Sequence, residues 1–483
     1  MKLSLQILFY FLIFTVFYSY AGYGMLIIFI SRFPRLIKLM PKPYNARSNE
    51  FTDIKKDSYP TVSLIISASG ESKKTLKEKI RNTKELIYPR NKLEVIFAIA
   101  FDEKDSNETI DEYYENFLYE PDNNNIYSKE EELYIRFLEY ECVSEFSRES
   151  ILSGLEKRLS DENFGSDGIR PFSKTAIDNY GTLIDDTEEE MNIYITKDIE
   201  RKGKTVQINR TVDKAKGEIL VFSDSNSFFN KEALINLTRH FSSLQVGCVA
   251  GEKRVKRSES STSGEGEGLY WKYESMLKKA DSKVWTTVGA AGEIYAVRRE
   301  LWNSGSGNKN LSEAIIEDFI ISMNISEQGY RVVYEPEAYA EEEPTNEVKD
   351  EFIRRKRIAA GGFQSIVWLK KLLNIFKYRT LSFQYISHRV LRWAVVPFIL
   401  PVILVTNIVL LTIQPDILIV FILLMQAGIY LLSAGGHYLE KKKKKIKIFN
   451  IPYMLMMMNV SAYFGLARFL KGSQSAVWEK VSR

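Results

Sequence analysis

The sequence predicts an α/β cytoplasmic domain with a mostly parallel sheet, held between membrane helices near both ends of the chain. Three observations predict it. Long uncharged stretches lie near each terminus, short apolar β-rich runs alternate with helical spacing between them, and acids stand where those runs stop. The bulk composition hides this pattern: of 483 residues, 45% are apolar and 27% charged. Such an average describes an ordinary soluble protein, but here the apolar residues crowd toward the ends.

The first element is "LQILFYFLIFTVFYSYAGYGMLIIFI", Leu5 to Ile30. At about 1.5 Å per residue it is long enough for a hydrocarbon core of roughly 30 Å. A signal peptide is the competing reading, but its apolar region would be shorter and a small-residue cleavage site would follow. A retained anchor over 1–31 is therefore expected. Arg32, Arg35, Lys38 and Lys42 open a basic linker over 32–58, which places the following domain in the cytoplasm by the positive-inside rule.

Between 59 and 365 strand and helix signals alternate. "TVSLIISA" (61–68), "LEVIFAIAF" (93–101), "EILVFS" (218–223), "VGCVAG" (246–251) and "YRVVYEP" (330–336) are short apolar runs. "KKTLKEKIRNTKELI" (73–87) and "KEALINLTRHFSSL" carry helical spacing between them. Apolar strands separated by helices indicate an α/β domain. Ligands of such sheets gather at the carboxyl ends of strands, where Ser67, Asp102 and Asp224 fall. The stretch from about 116 to 200 is acidic, with "EPDNNN", "KEEEL" and "DDTEEEM"; it is expected to be a solvated insertion, partly helical and partly disordered.

Beyond 365, "SIVWLKKLLNIFKYRTLSF" mixes lysines with Trp368, Leu369, Leu372, Leu373, Ile375 and Phe376. An amphipathic helix over 366–388 is expected, lying on a membrane surface or packed on the domain. A transmembrane hairpin follows over 389–438, broken at Gln414-Pro415-Asp416. The basic loop 439–450 contains "EKKKKK", 451–470 is transmembrane or re-entrant because it carries Asn459 and Ser461, and a tail covers 471–483.

The chain excludes several chemistries. Its two cysteines, Cys142 and Cys248, and three scattered histidines, His240, His388 and His437, supply neither a disulfide framework, a zinc site nor a Ser-His-Asp arrangement. The formal charge is +4, with lysines and arginines clustered beside apolar segments. That distribution suits membrane lipids and gives no sign of nucleic acid.

One stretch carries chemistry directly. In "EILVFSDSNSFFN" (218–230) a buried strand stops at Asp224-Ser225-Asn226, offering a carboxylate and an amide carbonyl to a hard cation such as Mg2+ or Mn2+. A helix N-cap is the structural alternative.

The surrounding segment, "KGKTVQINRTVDKAKGEILVFSDSNSFFNKEALINLTRHFSS", resembles the centre of family-2 glycosyltransferases, with lysine, asparagine, "GE" and a "DxD"-like aspartate in order. The resemblance continues in "GAAGEIYAVRREL" (289–301), "IEDFIISMNISEQGYRVVYEPEAYAEEE", "EFIRRKRIAAGGFQS" and the tail "RFLKGSQSAVWEKVSR". It covers most of 59–483 outside the insertion, and the membrane-embedded members, similar to cellulose and hyaluronan synthases, are its nearest pattern.

The resemblance implies a GT-A fold and an inverting transfer of a sugar from a UDP-sugar to a saccharide or lipid-linked glycan, as in polysaccharide synthesis. It implies that Asp224, with Asn226, holds the divalent cation and that Ser67, Glu71, Asp102, Lys204 and Asp224 meet the nucleotide-sugar. Asp318 of "EDF" is implied as general base. Gly289, Gly292, Glu317, Arg355 and Arg357 are implied on the acceptor and diphosphate side. A helix cap at Glu317-Asp318, a plain turn at the glycines and a solvated or lipid-facing arginine cluster are the structural alternatives. The chain departs from the family in "SASGE", where a "PxYNE"-like run is usual, and in "FDEKD", which leaves Asp102 or Asp105 for the nucleoside. It also lacks the tryptophan of "QxxRW". A non-catalytic membrane scaffold and a polyprenyl-phosphate glycosyltransferase are the alternative functions.

Overall fold

The structure is a computed structural model that describes residues 2–48, 59–69, 72–100, 136–139, 192–198, 203–256, 262–302, 311–343, 348–413, 415–442 and 446–472. Its centre is a nine-stranded mixed sheet. In chain order the strands are β1 (Val62–Ser69), β2 (Leu93–Ala100), β3 (Arg136–Glu139), β4 (Asn192–Asp198) and β5 (Ile219–Asp224). They continue with β6 (Phe228–Phe229), β7 (Val246–Val255), β8 (Ile294–Arg298) and β9 (Arg331–Glu342). In space the order is β3-β4-β2-β1-β5-β8-β7-β9-β6.

The β-branched composition of β1, β2 and β5 fits strands buried on both faces, and the side chains divide accordingly. Leu64, Ile66, Val95 and Phe97 face one core with Leu76 and Ile80 of helix α2 (Lys73–Lys84). Ile65, Ile96, Leu220 and Phe222 face the other with Ile208 and Val212 of α3 (Lys204–Lys214), which follows the N-terminal helix α1 (Lys2–Arg32) and α2 in the chain. β1 pairs in parallel with β2 on one side and β5 on the other. Strand order therefore reverses at β1/β5, the switch point at which sheets of this kind offer a ligand crevice outside the carboxyl ends of the strands. β8 runs antiparallel to both β5 and β7.

Two expectations are corrected here. The acidic stretch of about 116–200 contains strands: β4 pairs in parallel with β2, and β3 with β4. The period-two apolar residues of "NIYITKD" win locally over the flanking charge, and β4 extends the sheet; the rest of that stretch lies outside the described residues. The single amphipathic helix over 366–388 is absent. One helix ends at Trp368, short turns cover Lys370–Leu373 and Ile375–Tyr378, and a new helix begins at Thr380. Arg379 adopts a φ of 47°, and Asn374 caps the second turn by accepting from the Lys377 amide at 3.1 Å. Leu369, Leu372, Tyr378 and Leu381 are buried with Trp285, Val288 and Phe319, so packing on the domain breaks the helix.

Among the described residues, three helices are long and apolar enough to cross a membrane: α1 (Lys2–Arg32), Thr380–Ile413 and Ile417–Lys441. With the two domain helices Thr262–Val284 and Glu317–Glu327, and Val348–Trp368 after them, these become α4, α5, α6, α7 (Thr380–Ile413) and α8 (Ile417–Lys441). The last helix, α9 (Lys447–Leu470), is not among the three. Phe9 and Leu12 of α1 pack with Ile403, Leu410 and Ile419 of the α7–α8 hairpin.

Helix α4 joins the membrane helices to the domain through buried charge. Its Asp281 receives the Tyr23 hydroxyl of α1 and lies 2.6 Å from His388 Nδ1 of α7. Its Glu274 pairs with Arg389, with Arg392 at 3.3 Å and with His388 Nε2 at 3.2 Å. These α7 residues sit on π-helical turns over Ile386–Val395.

Candidate active site

The crevice is built from the ends of β1 and β5 and from the first turns of two helices. Ser67 lies opposite Asp224 in the β1–β5 register, and its carbonyl accepts the Ser225 amide at 3.1 Å. Asp224 ends β5, and its carbonyl accepts the Ser227 amide to close a turn that carries Asn226. Lys204 opens α3 directly after Gly203. Its Nζ lies 2.6 Å from Asp224 Oδ1 and 2.9 Å from Glu317 Oε1. Burial would drive the ammonium toward neutrality, but Asp224 and Glu317 reverse this and hold it firmly charged. The Asp224 carboxylate is thus an ion-pair partner, and the helix-cap alternative is not what the structure shows.

Glu317 and Asp318 form the first turn of α5, where the helix dipole favours negative charge. Asp318 is nonetheless raised from 3.8 to about 7, through burial first and the neighbouring Glu317 second, with Lys204 opposing. Gly292 fits beside it: a Cβ there would sit 3.3 Å from Lys204 Nζ and 3.5 Å from Asp318 Oδ2. Gly289 has a φ of 91°, and a Cβ would come 2.3 Å from the Phe319 ring. The positive φ and the Phe319 ring select glycine at Gly289, while a Cβ at Gly292 would only press on the flexible end of Lys204.

Carboxylates that the sequence reading passed over meet Asp224 here. One oxygen each from Asp224, Glu293 and Glu342 lie within 4.8 Å of one another. Lys253 of β7 bridges the latter two, pairing with Glu293 and, at 2.7 Å, with Glu342. The Ser227 hydroxyl donates to Glu342 at 2.6 Å. Burial raises Glu293, but Lys253 and Arg354 overrule it and hold its carboxyl well below the usual range. An all-oxygen donor set of this kind fits a hard divalent cation, which would share the carboxylates with two lysines.

The arginine segment lies on α6. Arg354 reaches Glu293 at 3.6 Å and Glu351 at 3.7 Å, while Arg355 pairs with Glu351 at 2.6 Å. Arg357 is half-buried and lowered to about 10, by desolvation first and Arg354 second, against the pull of Glu317, Asp224 and Asp318. It therefore stands within electrostatic range of the crevice acids. Glu71 and Asp102, and Asp105 as its alternate, lie outside the described residues.

The profile of the family described as "Glycosyl transferase family group 2" matches residues 219–433. No curated protein matches the chain. Among solved structures, the mannosyltransferase PcManGT from Pyrobaculum calidifontis in complex with GDP-Man and Mn2+ is similar at a TM-score of 0.55 and 16% identity, covering 96% of this chain and 99% of that one. GalNAc-T7 with UDP, GalNAc and Mn2+ has a TM-score of 0.33 and 15% identity, covering 60% of this chain and 45% of that one. TarS 1–349 of S. aureus in complex with UDP has a TM-score of 0.34 and 10% identity, covering 85% and 92%.

Proposed function

We propose that this chain, a glycosyltransferase with a family-2 segment and a GT-A fold, moves a sugar with inversion from a UDP-sugar to a saccharide or lipid-linked glycan at the membrane. The observation that carries this reading is Asp318, a half-buried carboxyl raised to about 7 beside Lys204 and Gly292. A general base works best with a pKa near the operating pH.

Asp318 accepts the proton of the acceptor hydroxyl as that oxygen forms its bond to the anomeric carbon. The bond from that carbon to the diphosphate oxygen breaks on the opposite face, and its electron pair leaves with the nucleoside diphosphate. A single displacement inverts the centre, so an α-linked donor gives a β-linkage. Asp224, Glu293 and Glu342 are the residues that would hold a divalent cation, with Asn226 on the same turn. Bound Mg2+ or Mn2+ would supply positive charge against the departing diphosphate. Lys204 bridges Asp224 and Glu317 and brings positive charge to that end of the crevice. Ser67 lines the nucleotide end, to which Glu71 and Asp102 are assigned by family resemblance. Gly289, Gly292, Arg355 and Arg357 are assigned to the acceptor and diphosphate side by family resemblance. The basic residues flanking α1 and α8 favour a cytoplasmic crevice.

The test uses membranes containing the protein, supplied with radiolabelled UDP- and GDP-sugars, Mg2+ or Mn2+, and either saccharide or polyprenyl-phosphate acceptors, followed by sizing of the product. Wild type should transfer label. Asp318→Asn should bind nucleotide normally and lose about 10²–10⁴ in rate, the usual contribution of a general base. Asp224→Asn should lose metal-dependent nucleotide binding. A wild-type protein that neither binds UDP or GDP with metal nor transfers any sugar would falsify the reading.

A further inference from the structure

Lys278 of α4 is buried, 4% exposed, and has no assigned role in the transfer described above. Its ammonium lies 5.9 Å from the Tyr334 ring. No carboxylate comes within ion-pair distance of it among the described residues. The acids in its electrostatic range are already matched. Glu274 is held by Arg389 and Arg392, Glu293 by Lys253 and Arg354, and Asp318 stands beside Lys204. Burial pulls the Lys278 pKa down, Glu274 resists, and Arg389 adds to the fall. A buried ammonium without an ion-pair partner is costly, and a methionine of similar length would fill the same space without that cost. A lysine kept there suits an anion that arrives with a ligand.

The place narrows the anion. Lys278 is one residue from Leu277, which packs against α1 at Gly24. On the same face of α4, Trp271 two turns earlier lies 5.4 Å from Lys253, the partner of Glu293 in the crevice, and Glu274 one turn earlier is held by Arg389 and Arg392 of the membrane junction. It therefore stands where the crevice meets the membrane helices. We propose that Lys278 is a phosphate-binding residue of the crevice, donating to phosphoryl oxygens at its membrane-facing end. This inference rests on the glycosyltransferase reading for its ligand class. Two sources share the chemistry: the diphosphate of the donor and the head phosphate of a lipid acceptor.

The experiment compares the full-length wild type with Lys278→Met, Lys278→Arg and, as a control on the exposed face of the same helix, Lys279→Met. Binding of UDP and GDP with Mn2+ is measured by calorimetry in detergent, beside decyl phosphate and decyl alcohol. Loss of one charge-assisted hydrogen bond should weaken the phosphate ligand roughly tenfold to a hundredfold. Lys278→Met should do this with an unchanged or raised Tm, Lys278→Arg should retain part of the affinity, and Lys279→Met should match wild type. Weakening of UDP and GDP, with uridine and guanosine unaffected, assigns the donor diphosphate. Weakening of decyl phosphate alone, with decyl alcohol indifferent, assigns the lipid phosphate.

Equal affinities of Lys278→Met and wild type for every phosphate probe would overturn the proposal. So would a lowered Tm with unchanged binding, which would make the lysine structural. The outcome separates from that of the transfer assay. A wild type that transfers sugar without regard to Lys278 removes only this inference. Lys278-dependent phosphate binding without any transfer removes only the reaction.

Discussion

Asp318 offers the sharpest check at the scale of one residue. Its folded pKa of about 7 lies above its ordinary value of 3.8, with Glu317, Glu293 and Lys204 as the charged groups that set it. A base must be unprotonated to act, so kcat/KM should fall tenfold per unit below about pH 7 and level off above it. Stability runs the opposite way. A raised carboxyl binds its proton more tightly when folded, so its contribution to folding is complete below pH 3.8 and is lost as pH rises through 7. Asp318→Asn should therefore melt above wild type at pH 8 and approach it near pH 4, as scanning fluorimetry across that range would show. A rate profile flat between pH 5.5 and 8 would remove Asp318 as the base. Lys204, Asp224 and Asp318 were legible because each sits in an ordered motif. Glu293 and Glu342 were not, although Glu293 directly follows Gly292 and Glu342 lies in a run of three glutamates. Only the strand's period of two distinguishes buried Glu342 from the exposed Glu343, and only the sheet order brings it to Asp224.

Among the elements, α4 carries an outsized share of the architecture. One of its faces meets the sheet, while Glu274 and Asp281 hold α7 and α1 through Arg389, Arg392, His388 and Tyr23. Burial would raise Glu274, but Arg389 and His388 overcome that cost and hold it well below the carboxylate range. Removing it leaves two arginines without their shared counter-ion. Glu274→Ala should then cost about 3–5 kcal/mol, as breaking one side of a buried pair does. The thermal midpoint in detergent should fall by several degrees while Lys279→Met stays at the wild-type value; equal midpoints would show that the junction does not depend on the pair. None of this was legible locally, because the partners are more than a hundred positions apart in the chain. The strands of the sheet divide the same way. β1, β2 and β5 announced themselves as apolar runs, whereas β8 is five residues long and hidden in a glycine-rich motif. Its antiparallel place between β5 and β7 is a fact of topology and not of local periodicity.

At the scale of the whole molecule, the question is which side of the bilayer holds the crevice. The apolar ends were legible from length alone, and α1, α7 and α8 answer them. Phe11, Phe14, Val405, Phe421 and Leu424 remain exposed on these helices, as a lipid-facing surface requires. Polar groups within them find partners inside the protein: Tyr20 of α1 meets Asn459 of α9 at 2.9 Å, and Gln426 of α8 donates to the Leu400 carbonyl at 3.1 Å. Arg32, Arg35 and Lys38 follow α1, and Lys441 and Lys442 end α8, so both basic ends should share one side with the catalytic domain. The α7–α8 turn and the start of α1 should then face outward. The measurement is labelling with a membrane-impermeant maleimide, in a background where Cys142 is replaced by serine; Cys248 is fully buried and protected. A cysteine at Asp416 in the turn should label in intact cells. One at Lys231, exposed on the domain, should label only after permeabilisation. Labelling of the Lys231 position in intact cells would invert the orientation. It would then place the crevice away from the cytoplasmic nucleotide-sugar pool on which the proposed reaction depends.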